Sequence, residues 1–529
     1  MPTPHSDPRR RFTLRLVAAW ATLALALVAA ALWACDGRLI YSLDDPYIHL
    51  SVAESILAGG YGVNPGEYAA PSSSILYPLL LVPTELMGLG RAGPLIVNLL
   101  AALATVLVIG RFLAERVLPE RALDSTARTI GSVLLGLACC VALNSWGLVM
   151  TGMEHSLHVL ACVVVVWRLS AAATRDGRLD PTLIAATVAL PLIRFEGLAL
   201  ALAVVGGMLY LRRFAAAALT LALVGAGLAA WVGFTASVGL PWLPSSVLTK
   251  SEFAARVLEQ QGSGALVRTI GANLKASLTE RPGTLLVLGA IVAALAGARA
   301  TRKADGGSDV VCGVAAVCVA LAHVTFGRYG WFSRYEVYAI GFVLLCLLRL
   351  ARAGLQRSDA RAAAAAALLL IGAPYVIDTL RTPWACRGTY DQQYQLHRFV
   401  VERWQRPIAA NDLGWLTYQN PDYVLDLWGL GSEDARRMAR REGLNATNIA
   451  GLVRERGIDL AIVYHRSLFD ATPEGWTRVG LLRSKTVTGA DNQVGLFATS
   501  DAVVAELRRL LVAFQGSLPW RVTLEVDPG

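Results

Sequence analysis

The stretch LRLVAAWATLALALVAAALWAC, Leu14–Cys35, decides the fold class, and YSLDDPYIHL, Tyr41–Leu50, follows it almost at once. The first is apolar and long enough to cross a hydrocarbon core of roughly 30 Å. It is too long for a signal-peptide core, and no A-x-A-like site follows it cleanly, so it reads as a retained anchor. The second stretch sets Asp44 and Asp45 side by side at the exit of that span. Paired carboxylates there are costly unless they are solvated or working.

Working outward, apolar runs rich in Ala, Leu and Val recur up to about Asp378. With 529 residues, 55% hydrophobic and 16% charged, the chain is no soluble globular protein. After Pro383 the composition changes, and Asp, Glu, Arg, Asn and Gln return at ordinary frequency. The expectation is a polytopic α-helical membrane domain over 1–383 and a soluble α/β domain over 384–529. In the latter, Pro407–Asn411, Tyr423–Leu427 and Asp459–Tyr464 read as strands, with Asn448–Arg456 as a helix between the last two. That domain carries no GxGxxG, no P-loop and no convincing nucleophile triad.

The net charge of +9 comes with arginines in short loops between apolar segments, a topology signal rather than a nucleic-acid footprint. Six of the eight cysteines lie inside apolar runs, where Cys behaves as a small hydrophobe. Cys35 and Cys386 lie near external boundaries, no disulfide is expected between them, and no CxxC pattern is present.

Arg9, Arg10, Arg11 and Arg15 at the first span place the N-terminus in the cytoplasm. The next loop holds Asp36, Asp44, Asp45, Glu54 and Glu67 against Arg38 alone, so it is expected outside. Segment Ser72–Leu89 is short, contains Pro78, Pro83 and Glu85, and reads as re-entrant or interfacial. With that segment not crossing, the later Arg clusters, from Arg111–Arg128 to Arg349–Arg361, all fall on the cytoplasmic side. This gives about eleven spans, external juxtamembrane helices and an extracytoplasmic C-terminal domain. The irregular charged peptides Asp44–Pro71, Trp146–His155, Arg194–Gly197, Gly239–Pro282 and Phe326–Glu336 then share the external face, as an active site at a membrane surface requires.

Each peptide has a plain reading and a functional one. Asp44 and Asp45 suit a helix cap, or a general base with or without a divalent metal between the carboxylates. Asn64-Pro65-Gly66-Glu67 reads as an ordinary turn, and Glu154 as a charge at a helix N-terminus. Arg194-Phe195-Glu196-Gly197 breaks an apolar stretch with two opposite charges, and the Arg194 fork suits phosphate. Arg328, Arg334, Trp331 and Tyr335 suit a membrane aromatic belt, or a sugar carried on a phosphate.

Taken in order, these peptides resemble the GT-C superfamily of polyprenyl-phosphate-sugar-dependent glycosyltransferases, in particular the bacterial branch that includes the mycobacterial arabinofuranosyltransferases. The branch pattern of DDAYI, GHG-NPGE, GMET, RPEG and LPNT-x-x-x-K is matched by Asp44–Ile48, Gly59–Glu67, Gly152–His155, Arg194–Gly197 and Leu243–Lys250. Asp426-Leu427-Trp428-Gly429-Leu430 is similar to its DxxGL element. His155, Phe195 and Ser245-Ser246 depart from the pattern, and no WWD peptide is present.

The resemblance implies an inverting transfer of a single sugar, arabinofuranose being the one suggested. The sugar would pass from polyprenyl phosphate to a cell-envelope glycan, lipid or protein at the outer face of a bacterial cytoplasmic membrane. Asp44 and Asp45 would be catalytic. Arg194, Lys250, Arg328 and Arg334 would receive the donor phosphate. His49, Asn64, Glu67, Glu154, His155, Glu196, Trp331 and Tyr335 would contact sugar or acceptor. A lipid-linked-sugar flippase or transporter is the alternative. It predicts a half-to-half repeat that the chain does not show.

Overall fold

The computed structural model describes residues 7–171, 179–248, 264–303, 306–464 and 472–528. Six helices are long and apolar enough to cross a membrane: Pro8–Ala34, Ala92–Val117, Phe214–Ser237, Arg281–Ala300, Gly307–Phe326 and Ser358–Trp404. Six shorter apolar helices accompany them, among them Leu76–Leu86, His155–Leu169, Pro181–Ile193 and Gly197–Tyr210. Helix Pro8–Ala34 buries Phe12, Leu16, Trp20 and Ala24, one residue per turn, while Leu14, Leu23, Leu25 and Trp33 lie exposed. A helix apolar on its outward face as well as its inward one is built for a lipid surround.

The segment Ser72–Leu89 holds a helix of only 11 residues, Leu76–Leu86, with Pro83 inside it. At 1.5 Å per residue such a helix reaches about 16 Å, half of a hydrocarbon core. The apolar stretch around Arg194 is two helices rather than one. Arg194 takes an extended backbone at the end of Pro181–Ile193, and Gly197 opens the next helix.

The chain divides into two compact units, each discontinuous in sequence. The first comprises Met1–Ala29, Leu95–Ala230 and Leu266–Leu380, the second Ala30–Pro94, Trp231–Ala265 and Arg381–Gly529. In the first unit, small residues let helices approach closely. A Cβ on Gly313 would lie 2.9 Å from the Ala293 carbonyl oxygen and 3.1 Å from Gly297 Cα, which seats Gly307–Phe326 against Arg281–Ala300.

The second unit contains a six-stranded sheet: β1 (Ile408–Ala410), β2 (Val424–Asp426), β3 (Leu460–Tyr464), β4 (Thr477–Arg483), β5 (Gln493–Ala498) and β6 (Thr523–Val526). Their order is β2-β1-β3-β5-β4-β6. β1 runs parallel to β2 and β3, and the remaining pairs are antiparallel. The three strands expected from sequence coincide with β1, β2 and β3, and the expected helix with Ala446–Glu455. Their inward residues Ala409, Leu425, Ala461 and Val463 pack with Ile449, Val453, Ile458 and Phe497.

The strand order reverses at β1. From β1 the chain passes to β2 on one side, and then to β3 on the other. Parallel sheets offer ligands a cleft beyond the carboxyl ends of strands where the order reverses in this way. Here that point lies past Ala410 and Tyr464. Asn411 spans the gap, its Oδ1 accepting the Tyr464 amide at 2.9 Å.

Candidate active site

Asp44 precedes helix Asp45–Leu57 in the N-cap position, yet its side chain makes no capping bond. The carboxylate turns away and accepts the Trp415 backbone N–H at 2.9 Å. This approach depends on Gly414, where a Cβ would run into the Asp44 carbonyl oxygen and carboxylate. The cap reading of Asp44 is therefore replaced by a long-range anchor.

The carboxyl of Asp412 adjoins that of Asp44, and a proton held between the two lets one donate to the other. Asp412 lies two residues past the end of β1, at the strand-order reversal, and its Oδ2 accepts the Tyr464 hydroxyl at 2.5 Å and the Gln393 amide at 3.1 Å. Both aspartates keep part of their surface open. Lost hydration, the Asp412 charge and Asp45 push the Asp44 carboxyl well above the usual range, against the pull of the Trp415 N–H. Lost hydration also raises Asp412, but the Tyr464 and Gln393 donors favour its anion. The proton that two adjoining carboxyls share thus rests mainly on Asp44 and the charge mainly on Asp412.

Aromatic side chains fix this corner. Tyr47 packs on Trp415 at 4.1 Å between ring centroids, Tyr394 at 4.8 Å, and the Arg91 guanidinium lies 5.7 Å above the same indole. Asp45 opens the helix, where its charge suits the dipole. One turn on, His49 Nδ1 lies 3.0 Å from Ser72 Oγ. Ser245 and Ser246 dock on the same peptide, through Ser245 N to the Ala70 carbonyl at 2.8 Å and Ser246 Oγ to the Ser72 carbonyl at 3.2 Å. Lys250 lies outside the described residues.

Asn64 has a structural occupation. Its amide exchanges two hydrogen bonds of 2.9 Å with Val424 N and O, standing in for a neighbouring strand at the free edge of β2. It also donates to Glu67 at 3.0 Å. Asp426 ties down the loop after β2, accepting amides from Trp428, Leu430 and Gly431.

A divalent metal between Asp44 and Asp45 would compete with the Trp415 N–H, which occupies one Asp44 oxygen. Among the described residues, no group of three or more His, Cys, Asp and Glu side chains is arranged to hold one.

A second constellation lies in the first unit. Arg194 is clamped by Glu154 at 2.5 Å and Glu196 at 2.8 Å. Its guanidinium also faces the Tyr335 ring at 5.8 Å, with Arg334 at 5.0 Å from that ring. Glu154 makes no side-chain cap bond, so its position at the start of His155–Leu169 does not account for it. The two carboxylates already balance the Arg194 charge, which leaves it a weaker receiver of phosphate than the isolated residue would be. The His155 ring lies 6.2 Å from Tyr335. Arg328 offers its carbonyl to His323 Nε2 at 3.0 Å.

Nearby in that unit, Trp331, Phe332 and Ser333 hold φ of +48°, +63° and +52° in succession. Left-handed backbone at bulky residues is costly and survives where surroundings impose it. Asn144 donates to the Ser333 carbonyl at 3.2 Å, and Ser333 donates to Asp378.

The fold defines a helical protein with several membrane-length apolar helices and a C-terminal mixed α/β sheet. Residues 380–497 match a family model described as a domain of unknown function, DUF8728. The matched segment contains Gln393, Asp412, Gly414, Trp415, Asp426 and Tyr464. No curated protein matches the chain.

Sequence reasoning missed Asp412, Gly414, Gln393 and Tyr464. The available signal was the polar run Asn411-Asp412 followed by Gly414, directly after an expected strand. Its meaning depends on strand order, which is not written locally.

Proposed function

We propose that the chain is an inverting membrane glycosyltransferase that takes a single sugar from a polyprenyl-phosphate donor, with arabinofuranose the first sugar to test. The acceptor is a cell-envelope glycan, lipid or protein. The loop charges support a cytoplasmic N-terminus and an extracytoplasmic C-terminal domain, and the resemblance points to a bacterial cytoplasmic membrane. The observation that carries the reading is the Asp44–Asp412 pair, a base of raised proton affinity with accessible surface, built on the first of the ordered GT-C-like peptides.

In the reaction the acceptor oxygen bonds to the anomeric carbon while the bond from that carbon to the phosphate oxygen breaks. The acceptor hydroxyl proton passes to Asp44, whose own proton shifts to Asp412. The pair goes from one proton to two, and the lipid phosphate departs as an anion. A raised proton affinity brings a carboxylate base closer to working pH, which favours proton transfer. Cations must receive the departing charge.

The test is transfer by the purified chain from a panel of radiolabelled polyprenyl-phosphate sugars, with Asp44→Asn and Asp412→Asn beside it. Loss of turnover in Asp44→Asn with donor binding retained supports the reading. Lipid-sugar translocation in liposomes without transfer from any donor favours the flippase instead.

A further inference from the structure

In the first unit, a cleft of about 360 Å³ opens beside Glu280, Arg281, Tyr329, Glu336 and Tyr375. It shares Leu285, Ile340 and Ile371 with a second cavity of about 170 Å³. The lining of that second cavity is wholly aliphatic apart from Gly289. Together they make a polar chamber that continues into an apolar groove between helices Arg281–Ala300 and Val337–Leu350. Leu288 and Val292 on the groove are exposed at 55% and 53%, facing the surroundings a bilayer would supply. Gly289 keeps the floor low, since a Cβ there would lie 2.6 Å from Val343 Cγ1.

A head-and-tail cavity on an apolar helical surface fits a lipid, and the charges select the headgroup. The chamber offers one guanidinium and two carboxylates. One arm of Arg281 is tied to the Leu370 carbonyl at 2.5 Å, and Glu336 accepts the Gly330 amide at 3.0 Å through one oxygen. Burial lifts Glu336 to about 7, so it is partly charged at neutral pH. A doubly charged phosphate monoester would meet more negative than positive charge here. A headgroup with one phosphodiester charge and one ammonium finds a partner for each.

We propose that this cleft binds an aminophospholipid of the phosphatidylethanolamine type, with its phosphodiester at Arg281, its ammonium at Glu280 and Glu336, and an acyl chain along the groove beside Gly289. The proposal rests on the membrane character of the chain and not on glycosyl transfer.

The test is native mass spectrometry of the delipidated full-length chain with phosphatidylethanolamine, phosphatidylglycerol or undecaprenyl phosphate added. Expected is retention of phosphatidylethanolamine about tenfold above phosphatidylglycerol, the worth of one charge-assisted hydrogen bond. Glu280→Gln with Glu336→Gln should bring the two lipids level, and Arg281→Gln should weaken both. Glu280→Gln alone, at an exposed residue, keeps the comparison interpretable if the double variant misfolds, and should at least halve the preference. Equal retention of the two phospholipids by the wild type, or stronger retention of undecaprenyl phosphate, overturns the proposal. So does an unchanged preference in Glu280→Gln.

Discussion

The Asp44 carboxylate accepts the backbone N–H of Trp415 at 2.9 Å across 371 positions of sequence. An aspartate at a helix start is ordinarily spent on its own helix. Here it is spent on a turn following β1, and that turn brings Asp412 to it.

Gly414→Ala tests the contact directly. The added methyl meets the Asp44 carbonyl oxygen and carboxylate, so either the turn or the helix start must move. Overpacking of this kind costs about 1–3 kcal/mol. Thermal unfolding should show that loss, and transfer activity should fall with it. An unperturbed melting curve would contradict the close approach.

The acid pair predicts a pH dependence of stability. Both carboxyls hold protons more tightly folded than unfolded, where 3.8 is the ordinary value. Their contribution is therefore fully present below about pH 4 and is lost as pH rises through the folded values. Asp412→Asn removes the neighbouring charge. It should be more stable than wild type at pH 8, with the advantage shrinking or reversing at pH 4.5, as followed by melting temperature across that range.

Arg194 should be sensitive to its two partners unequally. Glu154 is fully buried and Glu196 is 39% exposed at its side chain. Glu154→Ala removes the buried partner and leaves Arg194 only the partly exposed Glu196, a loss of about 1.5–3 kcal/mol. Glu196→Ala should cost only about 0–1 kcal/mol, nearer the worth of a solvated pair. Equal losses in chemical unfolding would refute this division of labour.

Asn64 separates a structural role from sugar binding. Asn64→Ala removes both bonds to Val424 and should cost about 1–3 kcal/mol. If the residue serves the β2 edge, KM for donor and acceptor stays within about twofold once folding is restored at low temperature. A large KM increase without destabilisation would assign it to the substrate.

The apolar helices, the strands β1, β2 and β3, and the break at Arg194 were legible because each is local. Length and hydropathy mark a span, a compact apolar run between polar turns marks a buried strand, and charges inside an apolar run mark an interruption. β4, β5 and β6 were not read. Glycine interrupts the apolar run in both Thr477–Arg483 and Gln493–Ala498, at Gly480 and Gly495, which weakens their strand pattern. Glu154 shows the limit of a correct local rule: its position at a helix start is real, but a buried guanidinium claims its charge.

By itself the sequence determined that the chain carries apolar helices of membrane-spanning length and a C-terminal α/β region, and that Asp44 is an expensive residue to keep. Only the tertiary structure decided what Asp44 faces. Hydrophobic periodicity is set by neighbours a few positions away, whereas the Asp44–Asp412 pair depends on the order of β1, β2 and β3 and on the missing side chain of Gly414, and neither leaves a periodic trace in the chain.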